Sequence, residues 1–276
     1  MNLVIQGAAL SDDELRRIAA LAGSQRIERL GAAACRLLGA EQRPGIAEYC
    51  GRAGLDFGFV PETRRFSDMR LLAIDMDSTL ITIECIDEVA DLAGVKAEVS
   101  AVTAAAMSGE LDYAQSLQRR VALLRGLGED ALARVYDERL RLSPGAETLV
   151  RAARRAGLKT LLVSGGFSFF TERLKARLGL DYCVSNALEI EGGRLTGRVI
   201  GDIVDAAGKA AKLRAVRDEL GIGKAAIIAI GDGANDLAMM GEAGVAIAYR
   251  AKPVARSKAD YALDHTGLDG VLNLFA

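Results

Sequence analysis

The chain has 276 residues, half of them apolar and 26% charged, with a net charge of -2. That length buries a sizeable core and holds one large domain plus a small one, and the near-balance of charge argues against nucleic acid or an anionic membrane as partner. There is no apolar run of about 18 residues to span a bilayer. The start, MNLVIQGAALSDDELRR, lacks the pattern of a signal peptide.

The four cysteines (Cys35, Cys50, Cys85 and Cys183) form no CxxC pair. This argues against a zinc or disulfide framework and suits a reducing, cytoplasmic setting. His265 is the only histidine, so a mechanism needing a histidine base has one candidate, outside every motif below.

Residues 3–6 (LVIQ) read as a strand. Ser11 with Glu14 is a capping-box pattern opening a helix to Leu21. Residues 26–38 hold two strands with a turn near Gly31. Pro44 suits a helix start for 46–54, and 55–60 (LDFGFV) read as a strand. The order βαββαβ predicts a small α+β, ferredoxin-like domain over 1–65, the class that includes ACT-like amino-acid-binding domains. A plain packing domain with no ligand fits the same order.

A polar linker, 61–68, leads into RLLAID (70–75), an apolar run ending on a carboxylate. From about 84 to 137 the pattern is helical, with breaks at Gly94, at 108–110 and near Gly126 and Gly128. It reads as a helical cap inserted after the first strand. The remainder, 66–83 and 138–276, forms a core of alternating strands and helices, with strands at 159–164, 225–230 and 244–248. A hairpin turns at Gly192-Gly193. Continuous apolar strands spaced by helices predict a Rossmann-like parallel sheet with helices on both faces. Its ligand crevice lies beyond the carboxyl ends of the strands.

Four strand ends carry chemistry. Asp75 ends the first strand, and Asp77 follows in the turn. Carboxylates this close need a cation or a proton between them. Mg²⁺ favours oxygen ligands, and a protonated second carboxyl serves as a general acid. Ser164-Gly165-Gly166 precedes a helix and forms a phosphate seat or a plain turn. Lys209 lies early on a helix, a place where lysines are usually solvated. Gly231-Asp232-Gly233-Ala234-Asn235-Asp236 follows the 225–230 strand, and its acids double as helix caps. Carboxylates gathered on one sheet edge require a cation.

DMDST, SGG, a following lysine and GDGAND together resemble the four motifs of the haloacid dehalogenase (HAD) superfamily, in order and spacing, over about residues 70–271. Residues 75–94, 111–121, 164–170 and 195–199 resemble its phosphoserine phosphatase branch most closely. The resemblance implies Mg²⁺-dependent hydrolysis of a small phosphate monoester. Asp75 would be the nucleophile and Asp77 the general acid/base. Asp75, the Asp77 backbone carbonyl and Asp232 would be metal ligands, with Asp236 behind them. Ser164, Gly165, Lys209 and Asn235 would hold the phosphate.

In the inserted segment the same resemblance assigns Arg120 to a substrate carboxylate and Glu84 to an ammonium. Met107 and Tyr113 become shields against water. Arg119 is a rival to Arg120, and Gln118 stands where relatives often carry a basic residue. Phosphothreonine or phosphohomoserine as substrate, or transfer to an alcohol, is the alternative. A homodimer and serine binding at the N-terminal domain are compatible with the pattern. An ion-pumping ATPase is disfavoured by DST in place of KTG.

Overall fold

The computed structural model describes residues 1–7 and 10–275. Two sheets organise it. The first is built from β1 (Asn2–Gly7), α1 (Asp12–Leu21), β2 (Arg26–Arg29), β3 (Ala34–Leu38), α2 (Ile46–Ala53) and β4 (Leu55–Val60). Its strands run in the order β2-β3-β1-β4, each neighbour antiparallel, which is the ferredoxin-like arrangement. Helix α1 starts where the sequence signals it: Ser11 accepts from the Glu14 amide, and the Glu14 side chain accepts from Ser11 in return. Helix α2 stops at Gly54, whose φ of 64° suits a residue without Cβ.

Strand alternation gives this sheet two faces. Leu3 and Ile5 pack with Leu15, Ile18 and Cys50 under the helices. Val4 and Val60 face the other way, into the core of the larger unit.

A short 3₁₀ turn at Phe66–Asp68 interrupts the expected linker. Beyond it come β5 (Leu71–Ile74), α3 (Cys85–Ala93), α4 (Lys96–Met107), α5 (Tyr113–Ala122), α6 (Asp130–Arg134), α7 (Ala146–Arg155), β6 (Lys159–Phe167) and α8 (Ser168–Leu178). They are followed by β7 (Tyr182–Glu191), β8 (Arg194–Ile200), α9 (Ala206–Glu219), β9 (Ile227–Gly231), α10 (Leu237–Met240), β10 (Val245–Tyr249), α11 (Pro253–Arg256) and β11 (Tyr261–Leu263).

The second sheet has the order β11-β10-β9-β5-β6-β7-β8, parallel except for the β7–β8 hairpin. Leu72 and Ile74 face α7 and α8, while Leu71 and Ala73 face α9 and α10. Both faces are therefore covered, which is why these strands read as unbroken apolar runs.

Three further details differ from the sequence reading. β6 runs on to Phe167 through an irregularity after Val163. β7 begins at Tyr182, so the hairpin's first strand belongs to the main sheet; its half-buried, mixed residues hid this. β11 is too short to register as a pattern.

Helices α3 to α6 form the insertion. Two stems attach it, joined by bonds from Thr82 N–H to Arg141 O and from Ser143 N–H to Leu80 O. It is tied a second time to the hairpin, through Gly126 N–H to Leu195 O, Leu195 N–H to Leu127 O and Glu129 N–H to Gly193 O. No helix among the described residues is long and apolar enough to cross a membrane.

Candidate active site

Asp75 follows β5 at the carboxyl edge of the sheet, its N–H still bonded to Ile230 O of β9. The chain then turns sharply: Leu80 N–H donates to Asp75 O and Ile81 N–H to Met76 O. Within that turn Ser78 has φ 56°, a left-handed conformation uncommon outside glycine and found at sites where backbone strain is held by its surroundings. The turn brings Asp77 back towards the strand ends. Asp77 Oδ1 accepts from the Cys85 amide at the start of α3 at 2.9 Å, and Ser78 Oγ donates to Glu84 at 2.7 Å.

The neighbouring strand β9 delivers Asp232 and, one 3₁₀ turn on, Asp236. Oxygens of Asp75, Asp232 and Asp236 lie within 4.8 Å of one another, all three residues buried. The acids distant in sequence thus share one rim.

Lys209, 1% exposed on α9, donates to Asp75 Oδ1 at 2.6 Å and to Asp236 Oδ1 at 2.8 Å. The other oxygen of Asp236 accepts the Asp232 and Gly233 amides, each at 3.0 Å. Asp236 is therefore fully engaged by protein donors. Among the described residues the Asp232 carboxylate has only a long contact from the buried Thr79 hydroxyl, at 3.5 Å.

One ammonium among these acids leaves an excess of negative charge. Burial raises the carboxyl of Asp75 well above its ordinary range, and the neighbouring Asp236 raises it further. Burial, then Glu84, pushes Asp77 up to about 7. Burial, then Asp236, pushes Asp232 to about 6. Burial opposes charge on Lys209, but Asp75 and Asp236 outweigh it and hold the ammonium above its usual range. Buried acids with raised affinity for protons fit a hard divalent cation, which takes the proton's place.

Strand β6 supplies the next wall. Ser164 is fully buried, and its Oγ accepts the Gly166 amide at 2.8 Å. The Gly165 carbonyl accepts from Tyr113 OH of the insertion at 2.9 Å and from Asn186 Nδ2 of β7 at 2.7 Å. Tyr113 is held above its ordinary pKa, to about 12, by burial. Asn235 is half-buried in the 3₁₀ turn beside Asp236.

On α5, Arg120 is half-buried while Arg119 and Gln118 are exposed, and Arg120 acts electrostatically on Tyr113. Glu84 sits at the mouth, held by Ser78. Met107 departs from the expectation of a shield. It is 80% exposed at the end of α4, where the chain reverses at Gly109. Thr79 and Asn186 escaped the sequence reading; a polar residue inside a strand was the only signal for Asn186.

A family model described as haloacid dehalogenase-like hydrolase matches residues 72–241. A second, a domain of unknown function (DUF4072), matches residues 3–46. A phosphoserine phosphatase from Polaromonas sp. is 55% identical over 215 residues, 76% of this chain and 91% of the relative. The structure of a probable phosphoserine phosphatase from Vibrio cholerae superposes with a TM-score of 0.88 at 37% identity, covering 99% of this chain and 86% of that one. A phosphoserine phosphatase solved as an analogue of its phospho-aspartyl intermediate gives 0.70 at 37% identity, over 75% of this chain and 99% of the other. With the acids of β5 and β9 meeting at one rim, and with relatives this similar over most of its length, the chain belongs to the haloacid dehalogenase-like hydrolase family.

Proposed function

We propose that the chain hydrolyses O-phospho-L-serine to L-serine and phosphate, the last step of serine biosynthesis, through an aspartyl-phosphate (acyl phosphate) intermediate on Asp75. The observation that carries this is the buried cluster of Asp75, Asp232 and Asp236 around a single ammonium. The names of the relatives supply the substrate.

Phosphoryl transfer depends mainly on positioning and on charge neutralisation. An Asp75 oxygen attacks phosphorus as the bond to the serine oxygen breaks. Asp77 gives that oxygen its proton, and its carboxyl, pushed up to about 7, still carries one near neutrality. Asp77 then takes a proton from the water that displaces phosphate from Asp75. Two easier displacements replace one hard one.

Mg²⁺ would be held by Asp75, the Asp77 carbonyl and Asp232, with Asp236 behind them, and when bound it offsets the negative charge of the phosphate. Ser164, the backbone around Gly165, Lys209 and Asn235 would hold the phosphoryl oxygens. Lys209 is pinned between Asp75 and Asp236 and so is pre-oriented for this.

Arg120 and Glu84 would bind the carboxylate and ammonium of serine, since a selective pocket needs one charge of each sign. Tyr113 closes the wall. Met107 would shield the site only if the insertion tilts further inward. The same reading puts the enzyme in the cytoplasm and gives serine a second place on the N-terminal sandwich, supported by its strand order; titration of the full chain with L-serine checks that part.

The deciding experiment is phosphate release from L-phosphoserine with Mg²⁺, repeated with EDTA and against phosphothreonine, phosphohomoserine and sugar phosphates. Release that depends on the metal and favours phosphoserine is expected. Preference for another phosphate would overturn the substrate assignment.

A further inference from the structure

Asn186 lies outside all four motifs and is 1% exposed in the middle of β7. Both ends of its amide are used. Nδ2 donates to the Gly165 carbonyl at 2.7 Å, and Oδ1 accepts the Val204 amide at 2.8 Å.

The first bond, with the longer one that Tyr113 OH makes to the same oxygen at 2.9 Å, fixes a peptide plane. The Gly165 carbonyl and the Gly166 N–H belong to one planar unit and point in opposite directions. A peptide between two glycines is the easiest kind to turn over. Anchoring the carbonyl keeps the Gly166 N–H aimed at Ser164 Oγ. The space beside Gly166 is already taken: a Cβ built there would lie 2.7 Å from Asp77 Oδ2 and 3.0 Å from Ser164 Oγ. The orientation of this peptide therefore sets how Ser164 and Asp77 stand to each other.

The second bond reaches the segment that starts α9. Val204 directly precedes Asp205, whose side chain caps the helix at the Gly208 amide and whose carbonyl accepts the Lys209 N–H. One side chain thus brackets the two elements carrying Ser164 and Lys209.

We propose that Asn186 is a positioning residue that holds the Gly165–Gly166 peptide and the Lys209 helix in the register a phosphoryl group requires. The proposal rests on the functional reading above for the reaction, but not for the identity of the alcohol.

The test compares wild type, Asn186→Asp and Asn186→Leu on L-phosphoserine and on p-nitrophenyl phosphate, with inhibition by inorganic phosphate and thermal melting in parallel. Asn186→Asp keeps the shape and the acceptor for Val204 but turns an oxygen onto the Gly165 carbonyl. Its kcat should fall by about ten- to a hundredfold on both substrates, with weaker inhibition by phosphate. Asn186→Leu should lose at least as much. A lower melting temperature with kcat and phosphate inhibition within about twofold of wild type overturns the proposal.

Should the variants fail to fold, hydrogen exchange on the wild type decides: the Gly166 and Val204 amides should be protected, and free exchange at either overturns it. A wild type that cleaves p-nitrophenyl phosphate but not phosphoserine would refute the substrate reading and leave this test intact.

Discussion

Individual atoms decide how tightly the acidic rim is built. At Gly166 a methyl group would press on Asp77 Oδ2 at 2.7 Å and on the Met76 side chain at 2.8 Å. Neither neighbour can retreat freely, because Met76 is fully buried and Asp77 is bonded to the Cys85 amide. Gly166→Ala should therefore fold yet lose about a hundredfold in kcat, since a small displacement of a reacting group is costly; steady-state kinetics on phosphoserine checks this, and unchanged kcat would remove Asp77 from the chemistry. Asp75→Asn keeps the shape of the nucleophile without its charge. Turnover should vanish while calorimetry still detects phosphoserine, and full activity in that variant would be fatal to the mechanism.

Among the elements, the β7–β8 hairpin has more to do than form a sheet edge. It holds the α5–α6 loop by backbone bonds, and Gly197 passes so close that a Cβ would lie 3.0 Å from Arg125 Cβ and 3.3 Å from the Ala122 backbone. With φ at 85° the position is also left-handed. Gly197→Ala should cost about 1–2 kcal/mol of stability. It should raise KM for phosphoserine more than it lowers kcat, because the loosened insertion carries Arg120; chemical denaturation and kinetics report the two effects.

Much of this level was legible in the chain. Asp75 and Asp232 declared themselves because each ends a continuous apolar strand, and buried parallel strands leave their chemistry at the carboxyl ends. The capping box at Ser11 marked its helix to the residue. Asn186 and Thr79 were not legible, since their partners at 165, 204 and 232 become neighbours only once the sheet is assembled. Nor was the exposure of Met107, which depends on how far the insertion leans.

For the whole molecule, charge and docking set stability. Asp75, Asp77 and Asp232 all titrate above the ordinary 3.8 in the folded chain, burial being the first cause in each. The folded chain then retains protons that the unfolded chain has released. Their contribution to stability is complete below 3.8 and drains away as pH rises through about 6 and about 7. A cation binding the charged carboxylates reverses the trend. The rise in Tm on adding Mg²⁺ should accordingly be larger near pH 8 than near pH 5, and equal rises would argue against the Asp75 and Asp232 carboxylates as ligands.

The N-terminal sandwich is docked through Asp56, whose carboxylate accepts the amides of Asp264, His265 and Thr266 and the Thr266 hydroxyl. Asp56→Ala leaves those donors unpaired and should cost roughly 1–3 kcal/mol. Faster limited proteolysis between residues 61 and 68 would report the loosened docking.

The contacts of Gln6 and Arg36 reach across 237 to 267 positions, to Asn273 and Phe275. A ribosome finishes the sandwich long before it makes the segment those side chains grip. In the interval the nascent chain displays an unfilled apolar face and a guanidinium with only Glu28 of its own sandwich beside it, so this is the stretch of synthesis where a chaperone would matter most.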